Sequence, residues 1–259
     1  MAASLLLAGC GRGADWREAH ADTPKDGPSS GYIRPPQITG AARAPDGGTV
    51  LSGQSQANVR LRLASPDGGT YGATADDDGR WSIDLPGDPA VRLFGLSEET
   101  GGRVVQGEGY VAVLPAPGRP AVLLRAGGGA APLDDNQTLQ IAAVDFDAGG
   151  SGVVSGAARS GAAVRVALDG AAAGETHASP QGRYSTAIAG AVKAGPHQVE
   201  VRSGAGAAQA AITVGPAPGP LAGTPYRGQR VAGAWRVDWL TPGGGPQTTL
   251  VLDPPEATP

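Results

Sequence analysis

The tetrad Gly79-Arg80-Trp81-Ser82 returns 103 residues later as Gly182-Arg183-Tyr184-Ser185. The same offset carries Ile38 to Ile141, Val50-Leu51-Ser52-Gly53 to Val153-Val154-Ser155-Gly156, and Leu85 to Ile188. Both copies therefore keep 15 residues from the Ile to the Gly of the Ser-Gly pair, and 26 from that Gly to the Gly that opens the tetrad. Such spacing marks an internal duplication, and a chain built this way divides into two similar units.

The units are β-rich. Val59-Arg60-Leu61-Arg62-Leu63 alternates apolar and charged residues, as a strand with one wet face requires, and Trp81, Ile83 and Leu85 alternate with Ser82 and Asp84 in the same way. Turn signals separate them at Pro66-Asp67-Gly68-Gly69, Asp76-Asp77-Asp78-Gly79, Pro86-Gly87-Asp88-Pro89 and Thr100-Gly101-Gly102. Further strands fit Thr70 to Ala73, Val91 to Leu96, Arg103 to Val105 and Gly109 to Leu114. The 43 glycines and 23 prolines make up about a quarter of the 259 residues, and long Leu/Lys/Glu periodicities are absent. The expected class is all-β, with two tandem sandwiches spanning 38–125 and 138–214, separated by a linker over 126–137.

The pattern of Val59-Arg60-Leu61, a polar turn, and then Ala75-Asp76-Asp77-Asp78-Gly79-Arg80-Trp81-Ser82 resembles the central part of bacterial Ig-like domains. It is also similar to the carboxypeptidase-regulatory-like and Cna-B-like prealbumin sandwiches. The resemblance implies a fold and no reaction. Burying Trp81 removes roughly 150–250 Å² from water, worth about 4–6 kcal/mol at most, which accounts for the residue without a ligand.

The N-terminus reads differently. Residues 1–10 end in Leu7-Ala8-Gly9-Cys10, which resembles the lipobox of bacterial lipoproteins. The resemblance implies cleavage before Cys10, acylation of its thiol, and a membrane partner reached through that lipid. Gly11 in place of Asp points to the outer membrane of the cell envelope. Cys10 is the single cysteine of the chain and so has no intramolecular disulfide partner. The segment lacks a basic n-region, which a start codon further upstream would supply. Residues 11–37 are polar and Pro/Gly-rich and read as a flexible tether, with Trp16, Arg17, Glu18 and His20 within it.

The second unit repeats the strands with smaller residues: Val164 to Val166, Tyr184 to Ile188, His197 to Arg202 and Ala207 to Val214. Its Ala-rich interior predicts a thinner, less stable core. Residues 215–225 are a Pro/Gly spacer, and 226–259 form a C-terminal hairpin and tail in which Trp235-Arg236-Val237-Asp238-Trp239 pairs with Thr248 to Leu252. Trp235, Val237 and Trp239 share one face. That face is either a stacking platform for sugar rings or, as aromatic strand faces more often are, the surface by which a marginal hairpin docks.

Familiar catalytic signatures are missing from the sequence. The histidines are His20, His177 and His197, none in a triad context, and with one Cys they do not make an ordinary zinc site. The Gly-rich stretches lack a following Lys-Ser/Thr and form no phosphate loop. The first unit has no lysine, which an intramolecular isopeptide bond would need. Asp76, Asp77 and Asp78 are the candidate calcium ligands, with Asp134, Asp135, Asp145 and Asp147 flanking the junction. However, the second copy replaces the triplet with Ser179-Pro180-Gln181 at the same turn length, so the fold does not depend on a metal there. A net charge of −4 and arginines scattered singly along strands argue against a nucleic-acid partner. No stretch reaches the roughly 18 apolar residues of a spanning helix.

The sequence thus predicts a lipid-anchored envelope protein, not an enzyme and without a cofactor, whose Ig-like domains are spacers or binding modules for an envelope protein or polysaccharide. The alternative is a carbohydrate- or cell-wall-binding lipoprotein that uses Trp235 and Trp239. A two-carboxylate glycosidase comes third.

Overall fold

The structure, a computed structural model, describes residues 33–134, 138–216, 221 and 223–254. Cys10, the tether to Tyr32, Asp135 and much of the 215–225 spacer lie outside the described residues.

Ten strands come from the first copy: β1 (Gln37–Arg43), β2 (Thr49–Gln54), β3 (Arg60–Ala64), β4 (Thr70–Thr74), β5 (Arg80–Leu85), β6 (Arg92–Thr100), β7 (Arg103–Gln106), β8 (Tyr110–Val113), β9 (Ala121–Leu124) and β10 (Ala131–Pro132). They make a three-stranded sheet, β1-β2-β5, and a larger one in the order β10-β9-β8-β6-β3-β4, with β7 hairpinned onto β6. Between them lies a core of Leu51, Leu61, Leu63, Trp81, Ile83, Phe94, Leu96 and neighbours.

The second copy supplies β11 (Gln140–Asp147), β12 (Gly152–Ala157), β13 (Ala163–Leu168), β14 (Ala171–His177), β15 (Arg183–Ala187), β16 (Gly195–Ser203) and β17 (Gly206–Val214). The C-terminal residues add β18 (Tyr226–Val231), β19 (Ala234–Leu240) and β20 (Pro246–Leu252). A four-stranded sheet, β14-β13-β16-β17, faces a six-stranded one, β15-β12-β11-β20-β19-β18. The described residues form an all-β protein with two sandwiches in tandem, and among them there is no helix.

The duplication is visible in the backbone. Gly53 pairs with Trp81 and Gly156 with Tyr184. The pairing of β1 with β2 slips at Ile38/Gly40, and that of β11 with β12 slips at Ile141/Ala143, so the same bulge recurs at the same offset. Gly79 and Gly182 both take positive φ in the turn before the aromatic strand, a conformation that favours glycine.

A third core joins the copies. Val91, Leu93, Ala112, Leu114, Val122 and Leu124 project from the outer face of the first sandwich and meet Ala143, Tyr226, Val237, Trp239 and Val251. Part of the larger sheet of each sandwich, around β8 and β9 in the first and β11, β20 and β19 in the second, is thus covered on both faces, while β3 and β4 keep a wet one. This arrangement explains why β9, Ala-Val-Leu-Leu, is buried at every position instead of at alternate ones.

Three expectations change as a result. The 126–137 segment is not a plain linker, because β10 lies in it and pairs with β9. The C-terminal element is a three-stranded meander, with Tyr226–Val231 as the added strand, and β20 pairs directly with β11. The second sandwich therefore does not end at Val214. From Arg34 onward the chain forms one compact unit, since the third core, with Ala130 in it, spans the stretch expected to be a linker.

Candidate functional site

Trp239 is 0 % exposed. Its Nε1–H donates to Thr249 Oγ1 at 3.1 Å, and its ring meets Tyr110 edge to face at 6.0 Å. Trp235 is half-buried beside the same core, with the Arg230 guanidinium 5.6 Å from its ring centre. Trp239 is therefore not available to stack on a sugar ring, and the Trp235/Trp239 face is a packing surface.

The Asp76-Asp77-Asp78 carboxylates are occupied in holding their turn. Asp76 Oδ1 accepts the N–H of Asp78 at 2.9 Å and of Arg80 at 2.7 Å, Asn58 donates to Asp77 at 3.1 Å, and Arg80 pairs with Asp78. In the second copy Ser179 Oγ accepts the Arg183 N–H at 3.2 Å, the same cap made by a neutral oxygen. Among the described residues no three His, Cys, Asp or Glu side chains converge as metal ligands would. Asp147 likewise caps a turn through the N–H groups of Gly149 and Ser151.

His197 sits 2.7 Å from Asp169 through Nδ1, a pairing found in catalytic triads. Here Nε2, which would relay a nucleophile's proton, lies 2.7 Å from the Lys193 carbonyl oxygen. Both ring nitrogens face acceptors, a demand that only the doubly protonated ring meets. The hydrogen bond to Asp169, followed by that to Lys193, accordingly raises the imidazole pKa above its ordinary value. The pair clasps the turn at Asp169-Gly170 to the start of β16, and both nitrogens of His197 are engaged in doing so.

Two polar groups at the junction were not legible as a set. Asp145, 1 % exposed, accepts from the Ala130 N–H at 2.8 Å, from Thr249 Oγ1 and from Gln247 Nε2 at 3.3 Å. Burial pushes its carboxyl up to about 6 against those hydrogen bonds. Arg119, 2 % exposed, pairs with Asp134 and donates to Gln140 Oε1 at 2.7 Å. Asp145 ties Ala130 of the 126–137 segment to β20, and Arg119 of the first copy ties Asp134 of that segment to Gln140 of the second, so the polar contacts reinforce the apolar junction.

Two recesses among the described residues border the second sandwich's junctions. One, of about 470 Å³, lies between the sandwiches and is lined by Gln37, Thr39, Glu108, Arg125, Gln181 and Arg183. Arg183 crosses it to the Thr39 carbonyl at 2.8 Å, and Arg125 is held on the Gly128 and Gly129 carbonyls. Its charges thus serve the junction first. The other, of about 690 Å³, runs beside β17, with Leu250, Leu252, Ala234 and Val231 along one side and Ala211 and Thr213 along the other. It exists because the six-stranded sheet extends beyond the four-stranded one and leaves the inner face of β18 and β19 without strands opposite. The sequence signal for it was the C-terminal strand pair, whose docking position the sequence does not specify.

No family model matches this chain, and no curated protein matches it. Among solved structures, it is similar to a biofilm-associated protein's BSP domain at 21 % identity and a TM-score of 0.26, over 71 % of this chain and 30 % of that one. It is also similar to the central fibronectin-III array of RIM-binding protein at 13 % identity and a TM-score of 0.26, over 84 % of this chain and 88 % of that one.

Proposed function

We propose that this protein is a non-catalytic module of the bacterial cell envelope, lipid-anchored through Cys10, in which the fused Ig-like pair is a stiff spacer that presents a binding surface at a distance from the membrane. The observation that carries this reading is the apolar junction of Trp239, Tyr226, Val237 and Val251 against Val91, Leu93, Val122 and Leu124. A chain whose two repeats share a core holds them at a fixed separation, as a spacer needs. His197 fits the same reading, because its second nitrogen is committed to a backbone carbonyl. The lipobox-like Leu7-Ala8-Gly9-Cys10 motif supplies the anchor, and the outer membrane is the address it favours.

The test is metabolic labelling with a palmitate analogue, followed by fractionation. The wild type takes up label and sediments with membranes, and Cys10→Ser loses both properties while keeping its melting point. An unlabelled, soluble wild type would overturn the anchor.

A further inference from the structure

We infer that the free edge of β17, with the recess beside it, is a docking site for one extended polypeptide segment that adds as a strand to the four-stranded sheet. This rests on the binding-module reading above and names its ligand class.

The hydrogen-bonding side comes first. β16 and β17 pair in continuous register, from Gly195↔Val214 to Ser203↔Gly206, around a two-residue turn. Asp169 N–H bonds to the Gln198 carbonyl, so even-numbered residues of β16 face β13 and odd-numbered ones face β17. Ala208, Ala210, Ile212 and Val214 are thereby bonded to β16. The N–H and C=O groups of Ala207, Gln209, Ala211 and Thr213 point to the open side, and no partner for them occurs among the described residues.

This edge lacks the usual protection. β14, β15 and β18 carry Glu175, Arg183 and Arg227 on their lengths, and the pairing of β14 is bulged. β17 is nine residues long, unbulged, and has no charge or proline from Gly206 to Val214. An uncharged, regular edge is a template for another strand.

The recess selects the occupant. A strand laid beside β17 would place alternate side chains over Val231 and the small accessible parts of Leu250 and Leu252, with Gln229 and Arg236 beside them, so it suits an uncharged segment with small apolar residues at every second position and polar ones between. A second copy does not fit. Antiparallel pairing of two β17 strands requires a two-fold axis normal to the sheet, which would bring the partner's six-stranded sheet into the layer already filled by β20, β19 and β18. A lone extended segment has no such second layer.

The probe is an eight-residue peptide of alternating valine and serine with a terminal lysine, titrated into the isotopically labelled full chain in detergent. Saturable binding is expected, with the amide signals of Ala207, Gln209, Ala211 and Thr213 shifting and their hydrogen exchange slowing, while those of Ala208, Ala210 and Ile212 exchange as before. N-methylation of alternate amides on the bonding edge of the peptide should weaken binding about tenfold or more. Ala211→Pro, which removes an N–H that faces the open side, should do the same with an unchanged melting point. Three outcomes would overturn the site: no saturation up to about 1 mM peptide, binding indifferent to N-methylation, or a concentration-dependent dimer protecting the same amides. The N-methyl comparison uses the wild-type chain, so it decides the matter even if the proline variant misfolds. Palmitate labelling and membrane fractionation are independent of all three, so this site can fall while the anchored-module reading stands.

Discussion

Gly53 and Trp81 are cross-strand partners, and a Cβ on Gly53 would lie 2.4 Å from the indole ring and 1.9 Å from the Gln37 carbonyl oxygen. Gly156 stands in the same relation to Tyr184, with the Tyr hydroxyl 2.7 Å and the Gln140 carbonyl oxygen 2.0 Å from its Cβ position. The repeated glycine therefore makes room for the repeated aromatic. We predict that Gly53→Ala and Gly156→Ala each cost roughly 3 kcal/mol, the upper end for overpacking, because one of the two clashing neighbours is backbone. Chemical denaturation of each variant checks this, and a loss below about 0.5 kcal/mol would contradict the packing described.

Trp81 is 4 % exposed and Trp239 is 0 % exposed, one in the first core and one in the third. Replacing either by Ala is expected to cost about 3–5 kcal/mol. Trp239 fluorescence should not respond to oligosaccharides or peptidoglycan fragments, because its ring is enclosed by protein. Saturable quenching that disappears in Trp239→Ala would restore a sugar-binding face.

The buried Asp145 predicts a pH dependence. Its folded value of about 6 lies above the 3.8 of an ordinary Asp, so the folded chain holds the proton more tightly than the unfolded one. Its stabilising contribution is fully present below pH 3.8 and is lost as pH rises through about 6. His197, also raised, contributes below its ordinary 6.5 and loses that contribution as pH rises past its folded value. Denaturation midpoints of the wild type minus those of Asp145→Asn should therefore fall between pH 4 and 6. A flat difference would mean that the carboxyl is solvated.

The strands that alternate were legible, because one wet face imposes a period of two. Val59 to Leu63 and Trp81 to Leu85 are the examples, and Arg60 to Leu63 and Trp81 to Leu85 lie in strands as expected. Ala121 to Leu124 was harder to read, because a strand covered on both faces has no alternation. That run of four apolar residues was itself the sign of a sheet buried on both sides. Tyr226 to Val231 was missed because its inward-facing Gly228 packs on Val91 through the absence of a side chain: a Cβ there would lie 2.4 Å from Val91 Cβ. The recess beside β17 depends on which strand the tail pairs with, and no local pattern specifies that.

The fusion of the two repeats through Trp239 is tested most directly by calorimetry of the wild type and Trp239→Ala. A shared core predicts one transition with calorimetric and van't Hoff enthalpies equal, and Trp81 fluorescence should change at the same temperature. Trp239→Ala should lower that single transition or split it in two. Two separate transitions in the wild type, with the Trp81 signal unmoved by Trp239→Ala, would contradict the account.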